Sequence, residues 1–244
     1  MIRGGPRPFD SWDVVKLVAL VLMAIDHTGY FFYPDDNWLR AIGRGTAPIF
    51  LFLGGYAGSY RFKWDLLILA LLMSISDLLL AGHLRPQNIL FNILLCRLLL
   101  GWMERHGKKI NHPYEWFFGC MAWLATNFLF HYGSFGMVFA ICGYMKKRGQ
   151  DYPQKLQRNY WLLAFLSYAI FSALLGSFSF FDTLLMSSTL ALVAMMLWRL
   201  KIKTIDTTRW PMGLARTAKT ISLYSGYIYA FHLIVLEWIM DKPF

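Results

Sequence analysis

The sequence predicts a single-domain, all-α integral membrane protein that forms a polytopic helical bundle. The amino-acid composition is the main evidence for this prediction. Hydrophobic residues make up 57% of the 244 residues and charged residues only 16%, at a mean hydropathy of +0.42. Soluble proteins are about one quarter charged, so this chain is too apolar for a water-exposed surface. The longest polar interval, about 199–217, is too short to build a second core. We therefore expect one transmembrane domain over residues 1–244.

Apolar runs separated by polar breaks predict about nine membrane-spanning helices. The sixth run is short and rich in glycine, so we expect that helix to be tilted or broken. The approximate bounds of the nine runs are 14–33, 38–60, 64–82, 87–103, 114–131, 133–145, 159–176, 182–199 and 218–240.

The basic residues predict the orientation of these helices. With the N-terminus in the cytoplasm, 19 of the 24 lysines and arginines fall at the cytoplasmic ends of the spans. The positive-inside rule then places the N-terminus inside and the C-terminus outside. This topology also explains the net charge of +10, because the basic residues form no single patch of the kind that binds nucleic acid. We expect membrane lipid as a partner and no nucleic acid.

The three cysteines give no sign of a disulfide scaffold or a metal site. Cys96, Cys120 and Cys142 lie scattered in apolar runs without CxxC spacing, which is typical of small buried hydrophobic residues. The histidines form neither an HxxxH nor an HExxH pattern, so we expect no bound metal.

An acid and an imidazole stand side by side near the far end of the first apolar run, at Asp26 and His27. Ionisable groups inside a membrane are expensive and therefore indicate a functional site. The alternative is that the two polar side chains only join neighbouring helices by hydrogen bonds. Because consecutive residues point about 100° apart, Asp26 should pair with another span, with Arg44 as the obvious partner.

Helical rise brings several ionisable residues to one depth. At about 1.5 Å per residue, His27 lies roughly 20 Å from the cytoplasmic end of the first span. Asp77, His232 and Arg44 reach the same layer from other spans. We expect a shared interior site, in which His232 is either a second site residue or a structural hydrogen-bonding group. Asp77 has an alternative role as the ion-pair partner of Arg97.

Two further residues fit the ends of such a site. Lys16 and His27 are eleven positions apart, about 16 Å along one helix face, which suits a long ligand with a phosphate head and a reactive tail. Coenzyme A has this shape. Lys16 alone also fits a simple interfacial anchor. Asn88 either lines the outer mouth of the site or caps the fourth span.

At these residues the chain resembles the TraX family. The resemblance is dense in KLVALVLMAIDH at 16–27 and IGRGTAPIF at 42–50. It implies a bacterial inner-membrane protein that acetylates the N-terminal amine of a conjugative, pilin-like protein with acetyl-CoA. Weaker matches cover QNILF at 87–91, GSFG at 133–136 and YAFHLIVL at 229–236.

The chain also resembles, more distantly, the transmembrane acyltransferases that use cytosolic acetyl-CoA, through a basic residue, ten positions and a histidine. This resemblance implies that His27 is the catalytic histidine, Asp26 its motif partner and Arg44 an acyl-CoA or transition-state contact. It implies that Lys16 helps to bind the cofactor. Thr46 departs from the small apolar residue that is common at its position.

The expected function is therefore acyl transfer with His27 as general base or, alternatively, as a transient acyl carrier. We expect Asp77, Asn88 and His232 to contact the substrate or to support the catalytic residues. An envelope sugar or lipid hydroxyl is the second choice of acceptor. A rival from another class is a proton-coupled transporter that uses the buried ionisable groups as a relay. The sequence leaves the oligomeric state open.

Overall fold

The computed structural model describes residues 8–58, 60–82, 88–107, 133–176, 178–208 and 210–241. Within these residues the protein is all-helical, which confirms the all-α part of the predicted fold class. Extended pairing among them is limited to one isolated bridge between Asp10 and Thr204.

The described residues form ten α-helices and one short 3₁₀ turn at Gly149–Asp151. The helices are α1 Ser11–Phe32, α2 Trp38–Gly43, α3 Thr46–Tyr56, α4 Trp64–Ala81, α5 Ile89–Arg105, α6 Gly133–Lys147, α7 Gln154–Leu175, α8 Phe180–Arg199, α9 Met212–Leu223 and α10 Ser225–Met240.

A polar cluster fixes the start of α1. The Asp10 side chain accepts hydrogen bonds from the first helical amides, and the Asp13 carboxylate closes the capping box. Asp13 is fully buried and forms an ion pair with Lys219 at 2.6 Å and a hydrogen bond with Ser222 at 2.6 Å. Lys16 donates to the Ser222 carbonyl at 3.1 Å. The N-terminal end of α1 is therefore tied to the end of α9.

Helices α3 and α6 pack with their backbones in close approach. A Cβ atom at Gly55 would overlap the carbonyl oxygen of Ala140, and one at Gly143 would overlap that of Phe52. Small residues at these positions are what allows two apolar helices to approach so closely. The buried core continues from this pair toward α1, α5 and α7.

The prediction of nine spanning helices is wrong. Within the described residues only α1, α4 and α8 are long and apolar enough to cross a membrane, or four units if the pair α9 and α10 counts as one bent span. That pair bends by 75° at its break. The predicted span 114–131 lies outside the described residues.

The main reason for this difference is that an apolar stretch of sequence need not form one uninterrupted helix that is long enough to cross a membrane. The predicted span 38–60 is divided at Arg44 into a helix of 6 residues and one of 11 residues. A membrane-spanning helix needs about 20 apolar residues, so neither piece is long enough alone. Helix α5 has 17 residues and includes Arg97, Glu104 and Arg105.

The outer faces of α4 and α8 are consistent with a lipid environment. Large apolar side chains along both helices are exposed in the isolated chain, a pattern typical of helices that contact acyl chains. They include Ile68, Leu71, Ile75 and Leu79 on α4, and Leu184, Leu192 and Met195 on α8. The length, hydropathy and exposed faces of these helices are those expected of membrane-spanning helices.

Candidate functional site

Two histidines from opposite ends of the chain form a direct hydrogen bond inside the bundle. His27 Nδ1 on α1 lies 2.7 Å from His232 Nε2 on α10, with the ring planes 15° apart. His27 is buried, with 3% of its surface exposed, and the Tyr229 ring lies 6.0 Å from its own. The structure therefore joins two residues that the sequence placed at the same depth.

The backbone around His232 determines which ring nitrogens carry protons. His232 Nδ1 lies 3.1 Å from the Tyr229 carbonyl oxygen and 3.3 Å from that of Ile228. Carbonyl oxygens only accept hydrogen bonds, so this nitrogen carries a proton. In a neutral His232, Nε2 then accepts from His27 Nδ1–H, and a neutral His27 has its lone pair on Nε2.

Asp26 is packed against the helix that follows α1. A Cβ atom at Gly43 would overlap the Asp26 side chain, so only glycine fits there. Asp26 is 7% exposed, and its Oδ1 has no hydrogen-bond partner among the described residues. Arg40 Nε lies 4.0 Å from that oxygen. The predicted partner, Arg44, lines a small interior cavity together with Asp26.

Arg44 occupies the break between α2 and α3. Its carbonyl oxygen accepts a hydrogen bond from the Tyr168 hydroxyl at 3.2 Å, which ties the break to α7. Its guanidinium carbon lies 5.7 Å from the centre of the Phe178 ring. The break therefore places a cationic side chain in the wall of the cavity that Asp26 lines.

These residues surround a small cavity, which we call the chamber. Its volume is about 30 Å³, room for one or two water-sized groups. Its polar lining consists of Asp26, His27, Arg44, Thr46, Asp77, Asn88 and Glu237, and its other walls are Met23, Gly43, Ala47, Phe50, Met73, Ile89, Tyr229 and Leu233. Of the predicted site residues, Asp26, His27, Arg44, Asp77 and Asn88 are thus brought together, and His232 contacts the chamber through His27.

Asn88 connects α4 with α5 at one end of the chamber. Its side-chain oxygen accepts from Leu90 N at 3.1 Å as the N-cap of α5, and its amide donates to the Ala70 carbonyl at 2.9 Å. Asn88 therefore caps α5, which is one of the two alternatives predicted, and it also lines the cavity.

A second and larger cavity, which we call the vestibule, adjoins the chamber. It measures about 300 Å³ and contains Lys16, Lys63 and Arg97 together with the carboxylate of Asp65. Arg97 is buried and faces this cavity, whereas Asp77 faces the chamber. The two residues therefore line different cavities.

Three residues belong to the walls of both cavities, namely Phe50, Ile89 and Tyr229. They form the partition between vestibule and chamber. A route from Lys16 to His27 therefore runs along α1 and past this partition.

Sequence reasoning missed Glu237, Arg40 and Lys63. Glu237 is buried at 2% exposure in the chamber wall, although it stands in the apolar run IVLEWIM. An acid inside an apolar run is the same signal that identified Asp77, so it was available in the sequence. Arg40 and Lys63 gave no such signal, because they stand near helix ends. No group of three or more potential ligands among the described residues is placed to hold a metal ion.

Comparison with known proteins places this geometry in context. The sequence profile of the family described as TraX protein matches residues 11–240. A protein of Rickettsia prowazekii (strain Madrid E), described as uncharacterized protein RP591, is 25% identical over 244 residues, covering 93% of this chain and 91% of that protein. Protein TraX of Escherichia coli (strain K12) is 42% identical over 43 residues, covering 18% of this chain and only 17% of its own length. No solved structure matches.

Proposed function

The chain belongs to the TraX protein family, and on this premise we propose that it is a membrane acyltransferase. In this proposal it transfers an acetyl group from acetyl-CoA to the N-terminal amine of a pilin-like protein. We place it in the bacterial inner membrane, with the N-terminus in the cytoplasm. The observation that carries the proposal is the meeting of a cationic vestibule and a chamber rich in carboxylates beside His27.

The vestibule supports binding of an anionic donor. It presents three cationic side chains, Lys16, Lys63 and Arg97, against the single carboxylate of Asp65. Phosphate groups form their strongest contacts with lysine and arginine. At about 300 Å³ the cavity is smaller than whole coenzyme A, so it takes the arm next to the thioester while the nucleotide stays at the predicted cytoplasmic surface.

The hydrogen bond between the histidines supports general-base catalysis. His232 fixes the proton of His27 on Nδ1, so that Nε2 is the proton-accepting atom. In the proposed reaction the acceptor nitrogen attacks the thioester carbon, His27 Nε2 takes a proton from that nitrogen, and coenzyme A leaves as the thiolate. The Arg44 guanidinium stabilises the negative charge that develops on the thioester oxygen.

The acceptor arrives from the side of the chamber away from the vestibule. The narrow chamber admits a small group at the end of a chain, such as an N-terminal amine, and excludes bulk water from the thioester. A hydroxyl of an envelope sugar or lipid would reach the same position.

The direct test uses protein purified in detergent, with acetyl-CoA and a short synthetic peptide that has a free α-amine. We expect thiol release and a mass increase of one acetyl group on the peptide. His27→Gln should lower this rate by about 100-fold or more, because general-base catalysis contributes a factor of that order. His106→Gln is the matched control, since His106 is exposed at the end of α5. An unchanged rate in the His27 variant would contradict the mechanism.

A proton-coupled transporter is the second candidate, because the two bonded histidines lie beside the carboxylates of Asp26, Asp77 and Glu237. The two functions differ in their ligands. A ligand that binds only the folded protein raises its unfolding temperature by mass action. Stabilisation by coenzyme A supports the transferase. Proton uptake by proteoliposomes without any effect of coenzyme A supports the transporter.

A further inference from the structure

Arg97 is a buried cation whose hydrogen-bonding capacity is partly unused within the described residues. It lies on α5 with 5% of its surface exposed, and it lines the vestibule. Every nitrogen of a guanidinium donates hydrogen bonds and none accepts. One terminal nitrogen of Arg97 lies 3.5 Å from the Arg61 carbonyl oxygen, which is longer than a typical hydrogen bond. The buried Nε has no hydrogen-bond partner in the part of the chain that the structure describes.

The unused donor indicates a ligand, because buried polar groups in folded proteins are almost always hydrogen-bonded. The carboxylate of Asp65 lines the same cavity and attracts Arg97, but it does not accept a hydrogen bond from Nε. The vestibule measures about 300 Å³, so it has room for an acceptor that a ligand supplies. Such an acceptor would complete the hydrogen bonds of Arg97.

A phosphate is the ligand that fits this side chain best. The guanidinium is planar and presents its N–H groups as a fork, so it can bind a phosphate through two parallel hydrogen bonds. The two lysines of the vestibule lack this geometry. Lys63 is exposed at the start of α4, and Lys16 already donates to the Ser222 carbonyl oxygen at 3.1 Å. Arg97 is therefore the vestibule cation that is both buried and shaped for a phosphate.

Helix α5 places Arg97 at a suitable distance from the chamber. Ile89, Ile93 and Arg97 follow at four-residue steps on one face of the helix, and all three line the vestibule. Ile89 also belongs to the partition, and helical rise places Arg97 about 12 Å from it along the axis. An extended pantetheine arm measures roughly 15 Å from its sulfur to its phosphate, at the advance per bond of an extended chain. With its phosphate at Arg97, the arm is long enough for the thioester to reach past the partition.

We infer that Arg97 binds the phosphate at the end of the donor's pantetheine arm, so that the enzyme selects thioesters carried on a phosphorylated arm. This inference rests on the proposed acyltransferase function and names the part of the donor that is recognised. A thioester whose arm lacks the phosphate leaves Arg97 Nε without an acceptor. It also forgoes charge-assisted hydrogen bonds, which are stronger than those between neutral groups. Arg97 thus acts as a specificity residue for the donor.

The test compares S-acetyl-phosphopantetheine with S-acetyl-pantetheine, donors that differ only in the phosphate. For wild type we expect the KM for the unphosphorylated donor to be about tenfold or more above that for the phosphorylated donor. Arg97→Gln should raise the KM for the phosphorylated donor by the same factor and leave the other KM unchanged, so that the preference disappears. Arg97→Lys should restore part of the preference, because it keeps the charge without the fork. Arg158→Gln is the control, since Arg158 is exposed on α7.

The outcomes separate this inference from the function on which it rests. If wild type releases thiol from acetyl-CoA but does not distinguish the two arms, or if Arg97→Gln retains the preference, the phosphate site is overturned while the transferase stands. If wild type releases no thiol from any of these donors, both are overturned. A folding defect would raise the KM for both donors alike and would not remove the preference. Should the glutamine variant fail to fold, a preference in Arg97→Lys equal to that of wild type would refute the forked contact.

Discussion

The hydrogen bond between His27 and His232 gives the sharpest prediction about catalysis. His232→Leu removes the atom that accepts the hydrogen bond from His27 Nδ1–H, at a distance of 2.7 Å. The donor, His27, is only 3% exposed. Leaving a buried donor without an acceptor costs about 1–3 kcal/mol. If this cost falls on the transition state, kcat decreases by about 5- to 150-fold. The KM for acetyl-CoA should stay the same, because His232 does not line the vestibule.

His232→Gln is the matched variant for this prediction. Its amide oxygen can accept from His27, so it should restore part of the activity that the leucine variant loses. Both variants are assayed by thiol release from acetyl-CoA, and their unfolding temperatures with and without coenzyme A establish that the donor site is intact. Equal activity of wild type and His232→Leu, or equal losses in the leucine and glutamine variants, would refute the argument that this bond orients His27.

Two further predictions concern packing and donor binding. Gly43→Ala places a Cβ atom against Asp26 and should destabilise the protein by about 1–3 kcal/mol in thermal unfolding, whereas Gly213→Ala, which meets open space, should be neutral. Lys16→Gln should raise the KM for acetyl-CoA about tenfold with little change in kcat, and the exposed Lys155→Gln should change neither. If Gly43→Ala leaves the unfolding temperature unchanged, α2 can shift to accommodate the added Cβ atom. If Lys16→Gln leaves the KM for acetyl-CoA unchanged, Lys16 serves only as an interfacial anchor.

The first span and the depth of its polar residues were predictable because both follow from helix geometry. The apolar run predicted at 14–33 is α1 at Ser11–Phe32. Constant rise per residue is enough to place Asp77 and His232 at the level of His27, and the structure brings all three to or beside the chamber. The catalytic and binding roles assigned to these residues remain predictions.

The number of spans was not predictable in the same way, because hydropathy does not reveal where a helix breaks. The segment after Arg44 stays strongly apolar, yet α2 ends at Gly43 and a separate helix, α3, begins at Thr46. The partner of Asp26 could not be found either, since Arg40 and Arg44 are one helical turn apart and both reach toward the same carboxylate. Glu237 was missed for a simpler reason, because an acid beside a tryptophan near a span end looks like an interfacial residue.

In the inner membrane that we propose for this protein, the partition of Phe50, Ile89 and Tyr229 has a consequence for the proton gradient. A bacterial inner membrane stores energy as a proton gradient, and a continuous thread of water through a protein would discharge it. In this protein the side chains of Phe50, Ile89 and Tyr229 stand between the vestibule and the chamber and interrupt such a continuous path of water. If acyl transfer proceeds as proposed, we expect this partition to keep the water of the vestibule separate from that of the chamber, so that the reaction opens no path for ions.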